Sequence, residues 1–367
     1  MSRIELSEEV DFDRIGELWR DLEARADGSF FQSWAWVGCL ASERFPNPVL
    51  LQAREGGVAV ALGLFNRRRR LGGSDLLLNE SGIARFDSVF VEHNGFLIER
   101  DRAAGSIAEC LEAVIGARGR RPRRVVLSGI PESYLAALRH GPYPHAIRAT
   151  RAAPFVDLRA LRQQGEGYLD RLSANTRYQL RRSRRRYEAA GELSLRRAES
   201  IAETRDFLGR LAELHQRYWT GRGRPGAFAN ADFRRFHDTL IDRAFASGAI
   251  DLMRVSAGGQ AIGYLYNLRY RGTVYAYQSG FDYAASDAQR KPGLTCHHLA
   301  IERYLAEGAE RYDFLAGGDR YKLSLSTGAA TLYWLEIGPR RRLAAVTQWL
   351  GALARKRFRD GERRPAI

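Results

Sequence analysis

The feature that most limits this chain is a pattern written twice. LLQAREGGVAVALGLFN occupies residues 50–66 and LMRVSAGGQAIGYLYN residues 252–267. Each reads as a strand, a Gly-Gly turn, an alanine, a β-branched residue, a small residue and a second strand ending in asparagine. Two glycines at a tight turn supply the positive φ values that an antiparallel hairpin needs. Downstream, a helical stretch precedes RRVVLSG (123–129) in the first half and ERYDFLAGG (310–318) in the second. Matching order in both halves predicts a mixed α/β fold of two units, each a mostly antiparallel central sheet flanked by helices. At 367 residues the chain has room for both.

The remaining elements fall around this frame. Asp11 or Asp13 caps a first helix with Ile15, Leu18, Trp19 and Leu22 at helical spacing. An aromatic segment follows at 30–36, then a helix over 107–115, a buried strand over 124–127 and a closing strand over 150–158. The polar stretch 159–167 sets the expected boundary, giving domains at 1–158 and 159–338 and a tail at 339–367. The second half opens on an arginine-rich helix, 168–190. An amphipathic helix over 198–219 follows, with Ile201, Phe207, Leu208, Leu211 and Leu214 on its apolar side. A glycine-rich loop (220–230), a helix (232–246) and strands at 250–256, 260–269 and 273–281 complete it.

The net charge is +15 and the isoelectric point about 10.1, which suggests an anionic partner: nucleic acid, acidic lipid or a phosphorylated substrate. A genomic bias toward arginine explains the same numbers, because lysine occurs only at Lys291, Lys322 and Lys356. Two of those three lysines, Lys291 and Lys322, lie in one stretch, 280–322, where background would have supplied arginine. The three cysteines are scattered, which argues against a disulfide framework or structural zinc and fits a reducing, cytoplasmic setting. No apolar run approaches the ~20 residues of a membrane span. The tail carries Leu343, Val346, Leu350 and Leu353 among arginines, as a helix lying on an anionic membrane would, or one packed on the second domain.

Within 280–322 a strand runs into a polar loop, a Pro-Gly pair opens a helix, and a short strand follows at 312–315. A helix N-terminus beyond a strand end offers free N–H groups and the positive end of a dipole, which suits phosphate. Pro292 occupies a helix-start position without losing a hydrogen bond, and Gly293 lets a phosphate approach.

The order strand, loop, Pro-Gly helix and Asp-Phe-Leu-x-Gly followed by Asp-x-Tyr-Lys resembles the GNAT-like acyltransferases of the CelD (cellulose-biosynthesis-associated) group, to which the Fem-type peptidyl transferases are related. Residues 172–186 look like that group's Leu-Ser-x-Asn-x-Arg-x-x-Leu-Arg-Arg helix, and 312–322 like its DFLxGxxxYK element. The resemblance implies tandem GNAT-like domains, with an acyl-CoA co-substrate held in the second domain alone. Backbone donors at Gly293, Leu294 and Thr295, with Gln289, Arg290 and Lys291, would take its pyrophosphate. The usual Q/R-x-x-G-x-G/A loop is met in part, with Thr295 in place of the second glycine.

Acyl transfer to an amine needs a proton acceptor, a polarised carbonyl and close positioning. Asp319 and Asp313 are the carboxylates on hand. Lys322 can polarise a carbonyl and Tyr321 can protonate the departing thiolate. His298 and Glu302, four residues apart, can pair as base and orienter, although a packed histidine accounts for them equally. Asn175 and Arg177 match the group's recurrent positions and are carried as substrate-binding residues; no metal set is expected. These residues point to an N-acyltransferase using acyl-CoA on an amino-lipid or amino sugar, in the cytoplasm or peripheral on the inner face of the membrane. The competing readings are a Fem-like enzyme using aminoacyl-tRNA and a non-catalytic module binding membrane or RNA.

Overall fold

The computed structural model describes residues 3–116, 122–139, 143–284 and 289–338. The chain begins with β1 (Arg3–Ser7), α1 (Phe12–Arg25), α2 (Trp34–Arg44), β2 (Pro48–Glu55), β3 (Val58–Arg70), β4 (Gly73–Leu78) and β5 (Leu97–Ile98). It continues through α3 (Ala103–Gly116), β6 (Arg124–Pro131), α4 (Glu132–Arg139), β7 (His145–Asp157) and α5 (Leu158–Gln164). Next come α6 (Ala174–Glu188), β8 (Leu193–Arg197), α7 (Ile201–Thr220), α8 (Ala231–Ala244), β9 (Ile250–Ala257) and β10 (Gln260–Tyr270). The last are β11 (Thr273–Phe281), α9 (Pro292–Ala306), β12 (Arg311–Asp313), α10 (Arg320–Leu325) and β13 (Gly328–Ile337).

Two compact units form. Among the described residues, one takes the chain up to Ile83, Phe90–Thr150 and 331–338; the other takes Ala84–Val89 and Arg151–Ala330. In the first, strands pair in the order β1-β2-β3-β4-β6-β13, with β5 beside β3; of these neighbours among the described residues, β4 and β6 run parallel and the rest antiparallel. In the second the order is β8-β9-β10-β11-β12-β7, and only β11 and β12 run parallel. The pairing logic is therefore the same in both. The twin turns explain why: Gly56 and Gly57 have φ of 56° and 85°, Gly258 and Gly259 of 55° and 79°. All four sit in the left-handed region that side chains avoid.

Each sheet buries one apolar cluster. Leu51, Phe65, Leu78, Leu111, Leu127 and Leu335 belong to the first, and Leu180, Val255, Leu265, Ile301, Tyr312 and Phe314 to the second. Helix α7 lies so close on β11 that a side chain at Gly280 would come within 2.3 Å of the Leu211 carbonyl oxygen. That contact fixes the strand from which the candidate site opens.

The mixed α/β class and the repeated hairpin agree with the sequence. Asp11, not Asp13, caps α1, its Oδ1 accepting from the N–H groups of Asp13 (3.0 Å) and Arg14 (3.3 Å). The arginine-rich segment is two pieces rather than one helix: a 3-10 turn at Tyr168–Arg171, then α6 behind Ser173, whose Oγ accepts from Thr176 N–H at 3.2 Å. A serine that offers its side chain to the backbone favours a helix start over a helix interior. Helix α10 and strand β13 are additions to the sequence reading. The amphipathic tail, 339–367, lies outside the described residues.

Candidate active site

The parallel pairing of β11 with β12 is short: Thr273, Val274 and Tyr275 face Arg311, Tyr312 and Asp313, and there β12 ends. Strand β11 runs on to Phe281, and among the described residues its pairing with β12 does not continue past Tyr275. The backbone thus opens into a cleft between diverging strands, and α9 starts at its head. A Pro-started helix leaves its first N–H groups outside the intrahelical ladder.

The donors at that helix start are fewer than the sequence suggested. Thr295 N–H is already committed to the Lys291 carbonyl (3.0 Å), which corrects its assignment as a phosphate donor. Its hydroxyl is buried against Ser183 Oγ at 2.8 Å, and Lys291 N–H donates to that same oxygen at 2.8 Å. Gly293 and Leu294 keep their N–H groups without a partner among the described residues. A Cβ at Gly293 would lie 3.2 Å from the Phe281 ring and 3.6 Å from the Tyr283 hydroxyl, so glycine keeps this corner open. Gln289 accepts from Arg186 Nε at 2.5 Å, and the Arg290 guanidinium lies 6.0 Å from the Tyr187 ring. Two open N–H groups, a helix dipole, Arg290 and Lys291 together suit a pyrophosphate.

At the other end of the cleft the residues after β12 gather. Asp313 is buried, and its Oδ1 accepts from Leu315 N–H at 2.8 Å. Leu315 has φ of 60°, a left-handed conformation that a leucine adopts only when held. One oxygen of Asp313 therefore serves the turn. Asp319 is exposed at the start of α10. Lys322 Nζ donates to the Ala316 carbonyl at 3.3 Å and lies 3.1 Å from the Cβ position of Gly317. Burial, then the nearby Asp319 carboxylate, holds the Tyr321 phenol well above the usual tyrosine range, so it stays protonated.

The two histidines separate. His298 stacks on Tyr168 (6.0 Å between ring centres), and its Nε2 is 3.3 Å from Glu302. Burial and Arg184 push it down to about 4, so it is neutral at pH 7 and stands in the packing beneath α6. His297 is the one at the cleft: its ring stacks on Tyr321 (5.6 Å, 21°) and meets Phe281 and Phe314 edge-on at 5.7 and 5.3 Å. Its Nδ1 is 2.9 Å from the Tyr312 hydroxyl. Burial, then Lys322, pushes it down to about 3. His297, rather than the His298 named from sequence, therefore lies against Tyr321.

Asn175 bonds along its own helix, accepting from Gln179 Nε2 at 3.2 Å. Arg177 donates to the Leu172 carbonyl at 2.6 Å, tying α6 to the turn before it. It also lines an open groove of about 620 Å³ with Tyr178, Arg181, Arg184 and Arg185. Neither residue joins the cleft group. Residues the sequence reading passed over do: Tyr283 lies 4.9 Å from Tyr218 and 6.1 Å from Phe281, ring centre to ring centre. Burial, then Tyr218, pushes the Tyr283 phenol up to about 12. The signal was a Tyr-Trp pair ending the amphipathic helix directly before a glycine-rich loop.

Residues 174–323 match the family described as an acetyltransferase (GNAT) domain. No curated protein matches the sequence. Among solved structures, FemX is similar over 93% of this chain and 99% of that one, with a TM-score of 0.61 and 10% identity. L-PGS from Bacillus licheniformis is similar over 94% of this chain and 98% of that one (TM-score 0.56, 13% identity). The C-terminal domain of a putative lysylphosphatidylglycerol synthetase from Agrobacterium fabrum is similar over 92% of this chain and 95% of that one, with a TM-score of 0.55 and 13% identity. At these identities the likeness is one of fold, and that fold is GNAT-like.

Proposed function

We propose that the protein transfers an acyl group from acyl-CoA to an amine, with the chemistry in the second unit. The observation that carries this is the cleft between β11 and β12, headed by the open N–H groups of Gly293 and Leu294. Gly293, Leu294, Arg290 and Lys291 would hold the pyrophosphate of coenzyme A, whose thioester, when bound, supplies the activated acyl group. Tyr321, protonated and beside the cleft, is suited to give its proton to the departing thiolate. Asp319 can hold the acceptor ammonium and take its proton, and Lys322 adds positive charge where a carbonyl oxygen becomes negative. An amino-lipid or amino sugar in the cytoplasm is the acceptor class this arrangement suits. The motifs at 172–186 and 312–322 support kinship with the CelD group.

A second reading, an aminoacyl-tRNA donor, is favoured by one observation. Arg181 and Arg185 on the groove of α6 have no acidic partner among the described residues. Thermal unfolding with coenzyme A, long-chain acyl-CoA and tRNA separates the two, because a ligand that binds the folded state raises its melting temperature. Acyl-CoA is expected to raise it, and Lys291→Glu to abolish the rise. A rise with tRNA alone sinks the acyl-CoA reading.

A further inference from the structure

A second feature, outside the cleft, is the tip of the hairpin between β3 and β4. Four consecutive arginines, Arg67 to Arg70, end β3, and Arg70 pairs in register with Gly73 across a two-residue turn, Leu71-Gly72. Gly72 has φ of 77°, which a tight turn requires at its second central position and which leaves Leu71 at the apex. Leu71 is 100% exposed. A leucine on a sheet surface is ordinary; one at the apex of an arginine hairpin, touching nothing, is placed to enter an apolar medium first.

The charge at this end is only partly compensated. Asp75, fully buried, takes Arg123 at 2.9 Å and Arg124 at 3.0 Å, with Arg70 at 3.7 Å, and Arg67 pairs with Glu8 at 2.6 Å. Arg68 and Arg69 have no acidic partner and no hydrogen bond among the described residues. These pairs anchor the base of the hairpin and leave its outer cations to the solvent. The chain also departs from here. Arg123 N–H donates to the Ser74 carbonyl at 2.6 Å, and a side chain at Gly338 would come within 3.0 Å of the Arg123 carbonyl oxygen.

We infer that the Arg68-Arg69-Arg70-Leu71 tip of the first unit docks on an anionic lipid surface, the arginines over the headgroups and Leu71 among the acyl chains. Charge complementarity selects an anionic partner, and the apex leucine selects lipid over nucleic acid. A tip that gripped a single strand would present an aromatic ring for the bases, and this one has none. Each arginine brought to an anionic surface strengthens partitioning about fivefold. The inference is independent of the acyl-transfer reading, since no residue of the cleft takes part.

Flotation of the full chain with phosphatidylcholine vesicles, with and without phosphatidylglycerol, tests it. Binding is expected only with phosphatidylglycerol, weakened roughly 25-fold in Arg68→Ala/Arg69→Ala. Leu71→Trp should shift its emission to the blue on those vesicles and be quenched by brominated acyl chains. All three changes are on exposed or half-exposed side chains, and an unchanged melting temperature confirms that the fold is kept. Equal binding to neutral vesicles overturns the inference. So does unchanged binding by the double variant, a Leu71→Trp emission that stays at its aqueous position, or capture of tRNA in place of vesicles.

Discussion

At the scale of single residues, the candidate site rests on small differences that a sequence shows only in part. Pro292-Gly293 and Tyr321-Lys322 were legible because Pro, Gly and a rare Lys stand out by type. The state of Thr295 was not, because whether an N–H is free depends on which carbonyl lies behind it. Nor was the choice between His297 and His298, which hangs on about a quarter turn of α9. Gly293→Val would put branched carbon against the Phe281 ring, 3.2 Å from the Cβ position, and across the two open N–H groups. The melting-temperature rise given by acyl-CoA should disappear, while the protein alone melts within a few degrees of wild type. Tyr321→Phe keeps the ring stacked on His297 and removes only the hydroxyl. Turnover should drop about 10²–10⁴-fold with donor affinity unchanged, as steady-state rates and calorimetric titration would show. A drop in both together would assign Tyr321 to donor binding.

At the scale of elements, legibility followed periodicity. The hairpins at 50–66 and 252–267 and helix α7 repeat at period 2 or 3.6 over many residues, and all were readable. Helix α10 spans only Arg320–Leu325, too few repeats to declare itself, whereas the short β12, Arg311–Asp313, was read from its residues and differs only in its bounds. The link between α6 and α9 was also invisible, since Ser183 and Thr295 are far apart in the chain. Ser183 Oγ meets both the Thr295 hydroxyl and the Lys291 N–H, each at 2.8 Å. Ser183→Ala leaves the buried Thr295 hydroxyl and the half-buried Lys291 N–H without that partner, at a cost of about 1–3 kcal/mol. The urea midpoint should fall, and the affinity for acyl-CoA with it, because the loop before α9 loses its tether. The ion-pair cluster on β4 gives a pH dependence. Arg123 and Arg124 hold the Asp75 carboxyl below the usual range against the opposing effect of burial. A carboxyl depressed in the folded state stabilises it above the unfolded value and loses that contribution as pH falls. Asp75→Asn should therefore melt lower than wild type at pH 7, with the gap closing as the pH is brought from about 5 toward 2. A gap that stays constant over that range would remove Asp75 from the acid sensitivity.

At the scale of the molecule, the chain does not hand each unit a continuous segment. The sheet of the first unit is completed beside β6 by residues 332–337 of β13, which follow the whole second half. The sheet of the second is completed beside β12 by residues 155–157 of β7, which precede it. A cut at the start of the polar stretch 159–167 falls inside α5, after its first residue, and strands both closing strands. A piece ending at residue 158 would expose the edge of β6 and lose Leu335 and Ile337, both fully buried in the first core. At about 1.5–3 kcal/mol for each side chain, that loss is ~3–6 kcal/mol. A domain commonly has about 5–15 kcal/mol in all. The piece 159–338 likewise gives up Val156, buried against the second cluster, and the strand beside Tyr312. Neither piece should unfold cooperatively by itself, whereas the two produced together should recover a cooperative melt and the response to acyl-CoA. Circular dichroism of the separate and combined pieces decides this. A sharp transition in 159–338 alone, with its acyl-CoA response intact, would mean that the second unit does not need β7, and that its cleft is held open by β11, α9 and β12 without help.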